Sequence, residues 1–302
     1  MTRREPSVVL LGATASGKSD VAMAVAASTG GVRIVAADAM QVYKGMDIGT
    51  AKPTVEDRSR VVHHCIDLVD PDARHTVADW LSAFESARTE IAAAGERAIL
   101  VGGTGLYVTA AVDGLELPGE WPDVRAELES EPDTAALHRR LVEADPTAAA
   151  RIEPGNRRRI VRALEVVVGS GRPFSSFGGG VAVFAPVDTA LVGIRWDRDR
   201  LRARIATRVH QMVSDGLVDE VRGLARRGMS HTARQALGYK EILDHLEGRC
   251  DLATAVDAVV LRTGQFAVRQ ERWYRRDPRI TWVDVAEDPV DEIAPIVARL
   301  LA

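Results

Sequence analysis

Eight consecutive residues, Gly12-Ala13-Thr14-Ala15-Ser16-Gly17-Lys18-Ser19, have the types and spacing that hold phosphate. Glycines at both ends let successive backbone N–H groups turn inward around phosphate oxygens. A helix that follows adds the positive end of its dipole. Lys18 brings a charge for a terminal phosphate, and the Ser19 hydroxyl is a ligand for Mg²⁺. The stretch matches the Walker A pattern in full. An apolar run before it and a helical pattern after it argue against a chance glycine-rich turn. The loop specifies a diphosphate or polyphosphate, and does not by itself specify ATP.

Three further groups have chemical potential. Asp38 ends the second apolar run, Ile34-Val35-Ala36-Ala37. From position alone it serves equally as a proton acceptor, a metal ligand or a structural residue. Thr104, in Gly102-Gly103-Thr104-Gly105, suits a helix N-cap. Arginines crowd two places: Arg157, Arg158, Arg159 and Arg162 in one, and Arg262, Arg269, Arg272, Arg275, Arg276 and Arg279 in the other, with Trp273 and Tyr274 among the latter. Helical spacing puts positions 269, 272, 276 and 279 near one face. Phosphate-gripping cations interleaved with aromatic rings suit RNA. One such patch is usually a solvated helix face, but two flanking a phosphate loop favour RNA. His63-His64-Cys65 reads as no metal site, because neighbours point apart and no second cluster has ligand spacing.

The elements that must position these groups follow from periodicity. Val8-Val9-Leu10-Leu11, Ile34 to Ala37, Ala98 to Val101 and Ala190 to Ile194 are short apolar runs, the pattern of buried parallel strands. Helices are expected at 18–27 and 76–94, where Val77, Trp80, Leu81, Phe84, Ala87 and Ile91 fall on one face. Residues 38–53 read as one long functional loop. Alternating strands and helices predict an α/β fold with a parallel sheet and flanking helices. Residues 118–186 have few strand signals and read as a mostly helical insertion, closing in the loose stretch 175–180. The core is then 1–117 with 187–302. Helices are expected at 198–227, 234–246, 252–275 and 289–301, and a last strand at 279–283.

Composition narrows the setting. The 302 residues are 46% hydrophobic and 27% charged, with a net charge of −4, so RNA binding must rest on local patches. No apolar run approaches the roughly 20 residues of a membrane helix. The MTRREPS start lacks a signal-peptide h-region. Cys65 and Cys250 are too few and too distant for a disulfide framework. The expectation is a cytoplasmic monomer with no membrane association.

Six ordered blocks carry a resemblance. They are the phosphate loop with Asp38-Ala39-Met40-Gln41-Val42-Tyr43-Lys44-Gly45-Met46-Asp47-Ile48-Gly49-Thr50-Ala51-Lys52-Pro53, His63 to Asp67, Gly102 to Tyr107, Arg158 to Val166, Leu237-Gly238-Tyr239-Lys240-Glu241, and Arg269-Gln270 with Trp273 and Arg275. Together the sequence resembles bacterial-type tRNA dimethylallyltransferases, the IPP transferase family. Three positions depart from the family pattern: Ala39 replaces a serine, Val268 a lysine and Arg272 a threonine. The eukaryotic zinc finger is absent.

The resemblance implies a P-loop NTPase-like core and a reaction in which adenine N6 of tRNA, beside the anticodon, attacks C1 of dimethylallyl diphosphate. It implies Asp38 as base, with Thr14 and Arg208 also catalytic and Arg204 the alternative to Arg208. Residues 12–19 would take the diphosphate, with Mg²⁺ on Ser19. Contacts to the tRNA anticodon stem-loop are implied for Asp38, Ala39, Met40, Gln41, Thr104 and Arg125. The same holds for Arg158, Arg159, Ile160, Val161 and Arg162, and for Gln235, Gly238, Tyr239 and Lys240. Arg269, Gln270, Arg272, Trp273 and Arg275 complete the implied set.

Overall fold

A computed structural model of the chain describes residues 7–178, 181 and 183–302. The start of the MTRREPS stretch and Gly179-Gly180 of the expected loose stretch lie outside the described residues. The chain divides into two compact units, 1–113 with 184–302 and 114–183.

In the first unit the chain alternates. Strand β1 (Val8–Gly12) leads through the phosphate loop into α1 (Lys18–Thr29), then β2 (Val32–Ala37). Next come α2 (Val55–Arg60), β3 (His63–His64), α3 (Val77–Ala93), β4 (Arg97–Gly102) and α4 (Gly105–Asp113). Residues 38–53 are not followed by open loop, because α2 starts at once. Thr54 and Asp57 form a reciprocal capping box there, a spacing visible in the sequence. Thr76 and Asp79 cap α3 the same way.

In the second unit α5 (Pro122–Ser130), α6 (Thr134–Ala144), α7 (Pro146–Ala149) and α8 (Arg157–Ser170) surround Leu128, Leu137, Leu141, Ile160, Val161 and Leu164. At its centre the fully buried Glu165 carboxylate accepts from the Trp121 amide at 2.8 Å and the Arg125 Nε at 2.9 Å, and pairs with Arg162 at 3.1 Å. A buried carboxylate without such partners would be costly.

The first unit resumes with β5 (Ala190–Arg195), α9 (Arg198–Ser214), α10 (Leu217–Arg227), α11 (His231–Arg234), α12 (Tyr239–Leu246) and α13 (Leu252–Tyr274), then β6 (Thr281–Asp284) and α14 (Pro289–Leu301). The helix expected over 198–227 is two helices. Gly216 adopts φ 103°, a left-handed conformation that glycine tolerates and a helix interior does not. The helix expected over 234–246 is likewise shortened: it begins only at Tyr239, after Gly238 at φ 88°. The last strand begins at Thr281, after a Pro278 turn.

The six strands lie in the order β3-β2-β4-β1-β5-β6, every pair parallel. Because side chains alternate along a strand, β1 feeds two cores. Val8 and Leu10 pack with Val21, Val25, Ile293 and Val297 of α1 and α14. Val9 and Leu11 face Trp80, Phe84 and Tyr107 of α3 and α4. The Trp80 ring stacks on both Phe84 and Tyr107, and its Nε1 donates to the Ala36 carbonyl at 3.0 Å. That bond anchors the end of β2 where Asp38 begins. No helix among the described residues is long and apolar enough to cross a membrane.

Candidate active site

The carboxyl ends of β1, β2 and β4 open into one cleft of about 1150 Å³. In an open parallel sheet this is where ligands bind. Thr14 through Ser19, Asp38, Gln41, Arg204, Arg208 and Gln270 all line it.

The phosphate loop is held from behind. Ala15 has φ 61°, a left-handed conformation unusual for alanine. Its carbonyl accepts from Arg204 Nε at 2.9 Å, and the Ser16 carbonyl accepts from Trp196 Nε1 at 3.0 Å. The Arg204 guanidinium lies 4.4 Å from the centre of the Trp196 ring. A Cβ at Gly17 would fall 2.5 Å from Pro289, so glycine is required there. With their carbonyls turned outward, the amides of Ala15, Gly17, Lys18 and Ser19 have no acceptor among the described residues. The Thr14 amide differs: it donates to Gln270 Oε1 at 2.8 Å. The Ser16 amide is also engaged, donating to the Ala13 carbonyl at 3.3 Å.

Two cations in the cleft, Lys18 and Arg208, have no ion-pair partner among the described residues. Lys18 Nζ folds back onto the carbonyls of Gly12 and Ala13, at 3.0 and 2.7 Å. Burial, then the Arg208 charge, push its ammonium down to about 7, against the opposing pull of Asp38 and Asp20. Burial also lowers Arg208. Among the described residues Arg208 has no hydrogen-bond or ion-pair partner, whereas Arg204 is committed to Ala15 and Trp196. This separates the two arginines left as alternatives: Arg208 is the free one. Two cations with no direct ion-pair partner, beside amides with free N–H groups, suit an anion despite Asp20 and Asp38 in the same cleft.

Asp38 faces them. Its Oδ1 accepts from the amides of Met40 at 2.8 Å and Gln41 at 3.3 Å, while its Oδ2 has no hydrogen-bond partner among the described residues. The Thr104 hydroxyl accepts from the Ala39 amide at 3.0 Å. Neither sequence reading of Thr104 had this use: the hydroxyl ties the loop after β2 to the turn after β4, and only the Thr104 carbonyl serves α4, taking the Val108 amide at 3.2 Å.

Two residues that sequence reasoning passed over hold the loop 38–53. Glu220, in the first turn of α10, accepts from the amides of Asp47, Ile48 and Gly49 at 3.0, 2.7 and 3.1 Å, and from the Tyr239 hydroxyl at 2.6 Å. Lys52 has a wholly buried side chain, with Nζ at 2.7 Å from Tyr43 O, Asp47 Oδ1 and Asp67 Oδ1. Burial works to raise the Asp67 carboxyl, but Lys52 and Arg58 hold it below the usual range. Gln41 Nε2 then donates to the carbonyls of Thr50 and Ala51. A hydrogen-bonded path thus runs from Glu220 through the loop to Gln41, whose amide meets Asp38.

Several expected RNA contacts have other occupations. Ile160 and Val161 lie in the apolar core of their unit. Arg125 and Arg162 pair with Glu165. Tyr239 is fully buried, and a Cβ at Gly49 would fall 2.5 Å from its ring. Gly238 is buried beneath the Glu241 cap, whose carboxylate takes its amide at 2.8 Å. Arg279 is not on the helical face proposed for it: α13 ends at Tyr274, and Arg279 pairs with Asp113 at 2.6 Å and Asp277 at 2.7 Å. Arg276 likewise lies beyond the helix, with its guanidinium 4.3 Å from the centre of the Trp273 ring. Arg262 pairs with buried Glu241. Arg158, Arg159, Gln235, Arg269, Arg272 and Arg275 remain exposed, Arg275 in an ion pair with Glu271.

Among the described residues no three acidic, histidine or cysteine side chains cluster to cage a metal. The donors present are the exposed Ser19 hydroxyl with Asp20 and Asp38 in the same cleft. This sparse oxygen set fits Mg²⁺, which binds few protein ligands and completes its shell with phosphate and water.

The fold and the site define a P-loop α/β protein whose phosphate loop shares a cleft with a carboxylate that has one free oxygen. The chain belongs to the IPP transferase family, whose model matches residues 41–277, with the isopentenyl transferase model matching residues 7–67. It is 46% identical to a tRNA dimethylallyltransferase of Paenarthrobacter aurescens, over 98% of this chain and 97% of the relative. Identity to a tRNA dimethylallyltransferase of Geobacter sulfurreducens is 47%, over 97% and 96%. The crystal structure of a tRNA isopentenylpyrophosphate transferase from Bacillus halodurans is similar, with TM-score 0.70 and 38% identity over 97% of this chain and 96% of that one. A eukaryotic dimethylallyltransferase acting on tRNA shares the fold, with TM-score 0.81 at 23% identity over 96% of this chain and 77% of that one.

Proposed function

We propose that this chain transfers the dimethylallyl group of dimethylallyl diphosphate to N6 of the adenine 3′-adjacent to the anticodon of tRNA, releasing diphosphate. The observation that carries the proposal is the free Asp38 Oδ2 in one cleft with the unpaired cations Lys18 and Arg208. Adenine N6 is a weak nucleophile because its lone pair is delocalised. Asp38 accepts its proton as the bond to C1 forms and the C1–O bond to diphosphate breaks. Negative charge gathers on the leaving diphosphate. Lys18, Arg208 and the free amides of Ala15, Gly17, Lys18 and Ser19 stabilise it without reorganising. Mg²⁺, held by Ser19, would neutralise further diphosphate charge. The exposed arginines of α8 and α13 grip tRNA phosphates, as two basic patches suit, and the target base must leave its stack to reach the cleft. The enzyme acts as a cytoplasmic monomer.

The test incubates the protein with labelled dimethylallyl diphosphate, Mg²⁺, and either tRNA or AMP. Label on tRNA is expected. Label on AMP in preference would make the enzyme a small-molecule transferase. Phosphate transfer from labelled ATP to any acceptor would make it a kinase.

A further inference from the structure

Gln270 lies on α13, between the exposed Arg269 and the half-buried Glu271, yet is itself only 6% exposed. Its side-chain amide spans the cleft's two working loops. Oε1 accepts from the Thr14 amide at 2.8 Å, and Nε2 donates to the Gly103 carbonyl at 2.7 Å. Gly103 is where the acceptor side is built. A Cβ there would lie 3.2 Å from Gln270 Nε2 and 3.5 Å from Asp38 Oδ2, and the next residue, Thr104, takes the Ala39 amide. One side chain therefore fixes the distance between the start of the phosphate loop and the turn against Asp38.

Glutamine suits this place for a chemical reason. The Thr14 amide needs an acceptor, and the Gly103 carbonyl needs a donor. The planar carboxamide presents one of each at equal reach. Glutamate would keep the first bond and set an anion against the second carbonyl. Methionine would fill the space and make neither.

We infer that Gln270 is a positioning residue for the transfer reaction, spacing the diphosphate loop from the acceptor-side carboxylate, and is not a tRNA contact. The inference rests on the transferase reading above. It assigns Gln270 a different task from Arg269, its neighbour in sequence, which points to solvent.

The test compares Gln270→Met, Gln270→Glu and Arg269→Ala with the unmodified protein. It measures kcat for prenyl transfer, affinity for inorganic diphosphate by calorimetry, and affinity for tRNA by filter binding. Gln270→Met should lower kcat by about 10- to 100-fold and weaken diphosphate binding about fivefold or more, as expected when two buried groups lose partners. Its tRNA affinity should stay within about twofold. Gln270→Glu keeps the Thr14 bond but adds a negative charge to the diphosphate cleft, so diphosphate affinity and kcat should both fall while tRNA affinity stays near normal. Thermal unfolding of both variants identifies any that fail to fold, and Gln270→Glu, the isosteric one, then carries the comparison. Arg269→Ala should show the reverse pattern, with weaker tRNA binding and unchanged diphosphate affinity. If Gln270→Met weakened tRNA binding as Arg269→Ala does and left diphosphate binding intact, the positioning role would be overturned. Should the unmodified protein fail to prenylate tRNA, the transferase reading falls. The diphosphate titrations would still judge the Thr14 bond.

Discussion

The phosphate loop and the loop that follows β2 face each other across one cleft and are built on opposite plans. In the phosphate loop the binding groups are backbone amides of adjacent residues, so eight letters of sequence nearly define the site. In the loop 38–53 the proposed reactive group is one carboxylate, and the loop's support comes from far along the chain: Glu220 bonds residues 47–49 from more than 170 positions away. Local order can be written in a motif. Order imposed by a distant carboxylate cannot, and it is the more exposed to single substitutions elsewhere.

The comparison breaks most sharply at Asp38. Asp38→Ala should cut prenyl transfer by about 10²- to 10⁴-fold, the usual worth of a positioned base, with tRNA affinity nearly unchanged. Asp38→Asn keeps the acceptor for the amides of Met40 and Gln41 and loses basicity. It should be nearly as inactive, measured by label incorporation under single-turnover conditions. Full activity in either would remove Asp38 from the chemistry.

Glu220→Ala tests the long-range support. It deprives three amides and the Tyr239 hydroxyl of their acceptor, which should cost about 3 kcal/mol. The melting temperature should drop by several degrees, and cleavage within residues 38–53 by a protease should accelerate. An unchanged melting curve and cleavage pattern would mean that the loop holds itself.

The phosphate loop has its own signature. In the free protein burial and the Arg208 charge push the Lys18 ammonium down to about 7. A bound diphosphate favours the charged ammonium, so binding above that pH must draw a proton onto Lys18. Affinity for inorganic diphosphate should therefore fall as pH rises above about 7, by up to about tenfold per unit. Calorimetry in buffers of different ionisation heat should register the proton taken up. Affinity independent of pH in that range, with no buffer dependence, would place Lys18 as an ordinary surface lysine.

The smallest effects belong to the exposed arginines. Alanine at Arg158, Arg159, Arg269 or Arg272 should each flatten the log-affinity versus log-salt slope for tRNA by roughly 0.7 to 0.9 if each meets a phosphate. Arg162 and Arg279, already paired with carboxylates, should leave the slope alone and lower thermal stability instead. Equal slopes for all six variants would show that exposure is a poor guide to the RNA-facing arginines.

What could be read in advance divides along the same line. The strands, the phosphate loop, Asp38 and the helical insertion follow from short apolar runs and glycine spacing. The two-residue β3 carries too little periodicity to be seen. The start of α2 was written in Thr54 and Asp57, and the break at Gly216 in the glycine itself, so both were available signals. The roles of Glu220, Lys52 and Gln270 were not, because each depends on partners brought together only by the fold. Counting arginines by spacing placed Arg279 on an RNA-facing helix. Pro278, four residues beyond the end of α13, and two nearby aspartates assign it to the interior instead.

That interior arginine has one more consequence. Arg279 Nη1 reaches both Asp113, where the core chain leaves for the insertion, and the Ala185 carbonyl just after it returns, at 2.6 and 2.7 Å. Departure and return are thus stapled at a single side chain. A segment with adjoining ends can be lengthened, exchanged or excised without rerouting any strand, which is the geometry of tolerated domain insertions. The α/β core is in this sense a chassis, and residues 114–183 a fitting that evolution, or an engineer replacing them with a short linker, can change while the sheet keeps its order.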